Sequence, residues 1–499
     1  MAQRLPAIRR LTEELRSVPV GRRSTVGDSV DYLVAHRAEL SAQRDLEELV
    51  LDADGERPSP GTEALAHHML MVRQVLAREL YSREIFVGSS VLDELLFRAV
   101  ADQSVDDPLL GALEFLRERR VNRPGLVLIP LHGFGILTAG VVHALSGRRI
   151  EVLRPQWDLA LTPQTNNMQR TVEWLERARQ ALGVRKPVPA ESLYHFARSR
   201  SRWLEANPLL AVRVVNVSHV RYDHQRLLMN RVRAATGLLA LAAAHQPAVD
   251  NDPVGSFSSS RVNNFETLDI HHYVAMSDNA SIPTHLESYV VPIDIAREDV
   301  LELTDLSVQL DPRVRAARPR SFERMETAVS AVYSGWLGYN FGRDDGGARG
   351  RVYRKTFESL NYFRRSFRLG GGRWSTAVTL AIAFELLLTD SSGRGMTEQI
   401  VRRAGLVLHG VRGRRMHEQA VRDLYKERGN IVHAGTVSAL DLRPAQRAYA
   451  EIFGRLGPRL ADVQPHWAEP LRRLTGDMTS PENRDESGEG RAPGSSLKA

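Results

Sequence analysis

The stretch TAVTLAIAFELLLTD, residues 376–390, constrains this chain more than any other. Apolar side chains cover its whole circumference rather than one stripe, so as a helix it has no face for water and is expected at the centre of a bundle. Glu385 is its one charge before Asp390. A carboxylate in such a place is costly unless paired, and an arginine on a neighbouring helix is the natural partner, with Arg428 the first candidate. The same pair also reads as a plain anchor of the bundle, since buried pairs often serve no chemistry.

Around that helix the pattern is helical throughout the last third of the chain. Apolar residues recur at three- and four-residue steps over 324–339, 356–368, 374–389, 397–408, 416–432 and 444–456. GRDDGGARGR (342–351) and GGG (370–372) read as flexible connectors. Upstream, strand signals dominate: LVLIP (126–130), IEVLR (150–154), LLAVRVVNVSHV (209–220), TLDIHHYVAM (267–276), SYVVPIDI (288–295) and LELTDLSVQL (301–310). Helical patterns at 168–182 and 224–245 interrupt them. The expected architecture is therefore multidomain, a mixed α/β N-terminal region followed by an all-α helical bundle. Residues 1–122 are expected mostly helical, 123–312 α+β, 320–465 the bundle, and 466–499 a disordered tail that is polar and glycine-rich from Pro481. A length of 499 residues suits about three domains.

Composition narrows the chemistry. With no cysteine in the chain, disulfides, cysteine-ligated zinc, iron–sulfur clusters and thiol nucleophiles are all excluded. The net charge of +7 invites an anionic partner, yet only Lys186, Lys355, Lys426 and Lys498 are lysines against 63 arginines, a ratio that reflects GC-rich codon usage. Position says more than the total. Between Arg351 and Val463 there are 20 basic and 10 acidic residues, whereas the rest of the chain carries 47 and 50. The start, MAQRLPAIRRLTEELRS, lacks the apolar core of a signal peptide, so a cytoplasmic location is expected. The uncharged run 125–147 is long enough for a bilayer but holds Pro130, His132, His143 and five glycines. A buried strand followed by a helix, with no membrane span, is the expectation there.

Familiar catalytic signatures are missing. Neither a phosphate-cradling G-x-x-x-x-G-K-[ST] nor a G-x-S-x-G elbow occurs, and HGFGILTAG (132–140) reads as tight strand-to-helix packing rather than a dinucleotide turn. His417-Glu418 begins an H-E-x-x-H that Val421 breaks. Asp269 and His271 share a strand face, and His219 and His224 lie near another strand end. Without a third ligand at diagnostic spacing, a polar strand face is the better reading than a metal site.

Two Arg-x4-His pairs occur, Arg412/His417 and Arg428/His433, and chance alone supplies about two in a chain with 63 arginines and 16 histidines. Context separates them. Arg428 and His433 end a helix with apolar positions at Val421, Leu424, Ile431 and Val432, and Gly435 follows as a C′ residue. A histidine in a last helical turn sits where the helix's negative end favours imidazolium, and histidine is the side chain suited to exchanging protons near neutrality. Five helical residues rotate by ~140° and rise about 7.5 Å, so one chain alone does not set Arg428 and His433 side by side. Asn430, three before His433, shares its face and is suited to orienting the ring or binding phosphate.

The order of these pieces, FESLNYFRRSFR, AFELLLTD, MTEQIVRRAGLVL and RGNIVHAG, resembles the Apea-like branch of the HEPN superfamily over residues 356–460. Gly429 follows the motif arginine directly, and the polar residue, Asn430, comes one position later than in many members. The resemblance implies a metal-independent endoribonuclease with no cofactor, in which Arg428 and His433 are catalytic, Glu385 and Asn430 support them, and a homodimer completes the site. It further implies RNA as substrate and a toxin-like role in anti-phage abortive infection. The variable N-terminal region would then be a sensor answering to a phage-derived trigger. A non-catalytic HEPN module that binds nucleotide or a protein partner is the alternative.

Overall fold

The computed structural model describes residues 125–130, 134–136, 159–162, 165–184, 187–199, 203–214, 222–245, 273–276, 286–289, 308–310, 319–339, 347–367, 373–391, 393, 395–435 and 440–477. The helical pattern expected over residues 1–122 and the strand IEVLR (150–154) lie outside them.

Strands β1 (Gly125–Pro130), β3 (Leu159–Thr162), β4 (Leu209–Val214), β5 (Tyr273–Met276) and β6 (Leu286–Tyr289) form an antiparallel sheet in the order β3-β4-β1-β5-β6. β1 and β4 pair from Gly125 opposite Val214 to Pro130 opposite Leu209. The two-residue period of a strand then sorts side chains to two faces. Leu126, Leu128, Ala160, Leu209 and Ala211 bury into one core with Leu175, Ala178 and Leu182 from helix α1 (Met168–Ala181) and its C-cap, and with Leu193 and Ala197 from α2 (Ala190–Ser199). α1 starts where the Asn167 side chain accepts the Arg170 N–H at 3.1 Å. A short helix α3 (Trp203–Ala206) leads into β4.

Leu210, between Leu209 and Ala211, belongs to the other core. That core is the helical bundle, and α4 (Tyr222–Ala244) shares it. α4 packs on α5 (Pro319–Leu337), α6 (Ala348–Arg365) and α10 (Arg443–Arg459). The sequence pattern sets α4 within 123–312, yet Val232, Ala235, Leu238, Leu239 and Leu241 are buried with the bundle. Gly237 is the point of closest approach: a Cβ there would lie 2.8 Å from Leu360 Cγ of α6.

The bundle is completed by α7 (Arg373–Leu388), α8 (Met396–Val407) and α9 (Arg414–Ala434). α7 packs most closely on α6, where the Ser359 hydroxyl lies 2.6 Å from both the Ala383 carbonyl and the Tyr449 hydroxyl. Tyr449 stacks on Phe363 at 4.2 Å between ring centres, tying α10 to α6. The C-terminal end of α7 is neutralised by a buried and a half-buried cation. Arg403 donates to the Leu388 carbonyl at 2.7 Å and lies 3.1 Å from both Asp390 and Asp477, and Lys355 donates to the Thr389 carbonyl.

Several expectations are corrected. The connector at 342–351 is helical from Ala348, the start of α6. Phe134–Ile136, expected to open a helix, is instead a strand, β2, paired in parallel with β7 (Val308–Leu310). An uncharged apolar run of that length has no periodicity to separate strand from helix. Part of the tail expected from residue 466 is folded instead, because α11 (Pro470–Thr475) packs onto the bundle with Leu471 and Leu474 buried. Asp390 caps its N-terminus by accepting the Leu471 and Arg472 N–H groups at 2.8 and 2.9 Å. Among the described residues no helix is long and apolar enough to cross a membrane.

Candidate functional site

α7 and α9 run side by side in the same direction. Residues at three- and four-residue spacing face each other across them: Tyr425 and Arg428 from α9, Ala381 and Glu385 from α7. The Tyr425 hydroxyl donates to the Ala381 carbonyl at 3.0 Å, and Arg428 Nη2 lies 3.7 Å from Glu385 Oε1. The partner expected for Glu385 is therefore the one beside it. The expectation of a helix buried on every side is corrected, because Glu385 keeps 23% of its side chain exposed, and Arg428 opposite it keeps 38%. A row along α7 comprising Val378, Ile382, Glu385 and Leu386 is only half-buried.

The local electrostatics follow from that position. Burial raises the Glu385 carboxyl above the ordinary carboxylate range, and the Arg428 guanidinium pulls it back. The Tyr425 phenol is pushed well above its ordinary value, first by burial and then by the Glu385 charge, with Arg428 opposing. It is a fixed donor. Tyr425 escaped the sequence reading, although standing three before Arg428 it shares that residue's face.

His433 lies in the last turn of α9 and is exposed. Gly435, with φ of 64°, closes the helix in the left-handed region that glycine enters without strain, and its N–H reaches the Ile431 carbonyl at 3.1 Å. Arg428 faces α7 while His433, ~140° around the helix, faces solvent. Asn430 is exposed on the same side as His433. The structure thus joins Glu385 to Arg428 and places Asn430 with His433, but within one chain the two pairs point apart.

The other Arg-x4-His pair forms nothing comparable. Arg412 is exposed in the turn before α9, whereas His417 is buried at 4% exposure, its Nδ1 without a hydrogen-bond partner. Burial pushes its imidazole below the ordinary value, with Glu451 opposing and Arg447 adding to the shift. Glu418 accepts from Arg414 at 2.6 Å. Of the residues considered for a metal, Asp269, His271 and His219 lie outside the described residues, and His224 lies in α4. Among the described residues no three His, Asp or Glu side chains gather in a group that could hold a metal ion.

No protein-family model, no curated protein and no solved structure matches this chain. What the site can do rests on its own groups: a half-exposed guanidinium braced by a carboxylate, and an exposed imidazole two helical turns or less beyond it. A guanidinium suits a phosphate, and an imidazole moves protons.

Proposed function

We propose that the chain is a metal-independent endoribonuclease of HEPN type. The observation that carries the reading is the meeting of Arg428 and Glu385 at an open edge of the bundle, on the helix that ends in exposed His433. The chemistry needs no group beyond these. The ribose 2′-oxygen attacks the adjacent phosphorus, the bond from phosphorus to the 5′-oxygen breaks, one imidazole takes the hydroxyl proton and an imidazolium protonates the leaving oxygen. Arg428 stabilises the charge that builds on the phosphoryl oxygens. The products are a 2′,3′-cyclic phosphate and a 5′-hydroxyl.

A homodimer supports this geometry. The half-buried apolar side chains Val378, Ile382 and Leu386 on α7, and Val432 with 54% exposure beside His433, form a surface for a second copy. A two-fold axis there would bring two arginines and two histidines around one cleft. In this reading the enzyme acts in the cytoplasm as a toxin-like effector of abortive infection. The region before the bundle would sense a phage-derived trigger.

The test is cleavage of RNA in excess EDTA by wild type and by His433→Ala. The proposal expects cutting by wild type, 5′-hydroxyl ends, and a loss of at least 100-fold in the variant. Undiminished activity in His433→Ala, or none in a folded dimeric wild type, overturns it. The latter result points to the non-catalytic binding module.

A further inference from the structure

The exposed side of α9 has a regularity that the Arg428–His433 pair does not use. Its exposed positions include Arg415, Gln419, Arg422, Lys426, Asn430 and His433, at steps of four and three residues. At 100° per residue these six fall within an arc of ~80°, and from first to last they span about 27 Å of helix. The stripe carries three cations and no carboxylate. Two acids of the same helix are turned elsewhere, Glu418 held by Arg414 at 2.6 Å and Glu427 buried, while Asp423 stands at the margin of the stripe and accepts from its Gln419 at 2.8 Å. Of the three cations, only Arg422 among the described residues forms an ion pair, with Glu398 of α8 at 3.5 Å, both side chains at least half exposed and so weakly joined. Among the described residues neither Arg415 nor Lys426 is engaged by an acid.

We infer that this stripe is the track along which a single-stranded RNA backbone runs to the reactive end of the helix. The inference rests on the nuclease reading for its direction, since the stripe ends at His433. Cations along one line, spaced by whole helical turns, match the phosphates of a flexible strand. A length of about 27 Å holds roughly four nucleotides, the low end of single-strand site sizes. A convex ridge on one helix meets one strand only, and a flexible strand can bring its 2′-oxygen in line with the leaving group. An A-form duplex offers neither freedom.

Binding is read with a 12-nucleotide 2′-O-methyl RNA, which keeps the phosphates and lacks the attacking hydroxyl, so the intact wild-type chain is used. Its affinity is measured against salt for wild type, for Arg415→Gln/Arg422→Gln/Lys426→Gln, and for a charge-matched control, Arg351→Gln/Arg354→Gln/Arg459→Gln. All six positions are exposed, so thermal melts of the three proteins should superimpose. Losing three phosphate contacts flattens the slope of log affinity against log salt by about 2 and weakens binding more than tenfold near 0.15 M salt, while the control stays within about twofold. Equal loss in both triple variants, or none in the stripe variant, overturns the track. So does displacement of the RNA by polyglutamate or by duplex RNA as readily as by single strand.

Cleavage of unmodified RNA is followed in parallel. A wild type that binds through the stripe but cuts nothing overturns the nuclease reading alone. A wild type that cuts, with the stripe variant binding and cutting equally well, overturns the track alone.

Discussion

A double-mutant cycle of Glu385→Gln and Arg428→Gln decides whether that pair holds the bundle together or serves the chemistry. Two unit charges 3.7 Å apart attract by about 4.5 kcal/mol at an effective dielectric of 20 and by about 1.1 kcal/mol in water. With 23% and 38% of the two side chains exposed, solvent draws the pair towards the lower figure, and exposed pairs give about 0.2–1 kcal/mol when measured. The coupling energy in urea unfolding at pH 7.5 is therefore at most about 1 kcal/mol. The single variants have opposite signs. Burial raises the Glu385 carboxyl, so its folded value lies above its unfolded one, and stability falls as pH rises through that window. Glu385→Gln removes that loss and leaves the neutral-pH protein as stable or more so, while Arg428→Gln costs little in stability and at least 100-fold in RNA cleavage. A coupling above about 2 kcal/mol, or an Arg428→Gln protein that does not fold, would show the pair to be an anchor and refute the reasoning.

Two further outcomes follow from buried charge. Arg403 is fully buried and holds Asp477, Asp390 and the Leu388 carbonyl, so Arg403→Met strips all three of their buried cation, although Asp477 keeps Arg402 and Asp390 keeps the Leu471 and Arg472 N–H groups, and should lower unfolding free energy by about 3 kcal/mol in urea titrations; a loss under about 1 kcal/mol would mean the hub is dispensable. Burial holds His417 below its ordinary value, so its contribution is fully present above about pH 6.5 and is lost as pH falls through the lower folded value. Thermal midpoints of wild type should drop more steeply from pH 7 to pH 5 than those of His417→Gln, and parallel curves would contradict the assignment.

The helices of the bundle are legible in the sequence because each buries one stripe, and the three- and four-residue period survives without knowledge of neighbours. Glu385 and Arg428 are legible for a different reason: a charge inside an apolar run must find a partner, and few candidates lie on adjacent helices. What periodicity does not carry is membership. α4 joins the bundle through contacts with residues more than a hundred positions away, such as Leu360 against Gly237. α11 has only six residues, too few for a period, and is held by Asp390 from 81 positions upstream.

Most instructive is α7, whose apolar circumference foretold burial on every side. Within one chain Val378, Ile382 and Leu386 remain half open. An apolar residue records that it leaves water and is silent on whose atoms replace the water. In the proposed homodimer a second copy would supply the covering that the described residues leave off α7. The uncovered edge is also where Arg428 is braced and where Val432 precedes His433. If the proposed dimer forms over this edge, one two-fold contact would both cover these half-buried residues and double the arginine and histidine that the proposed chemistry uses.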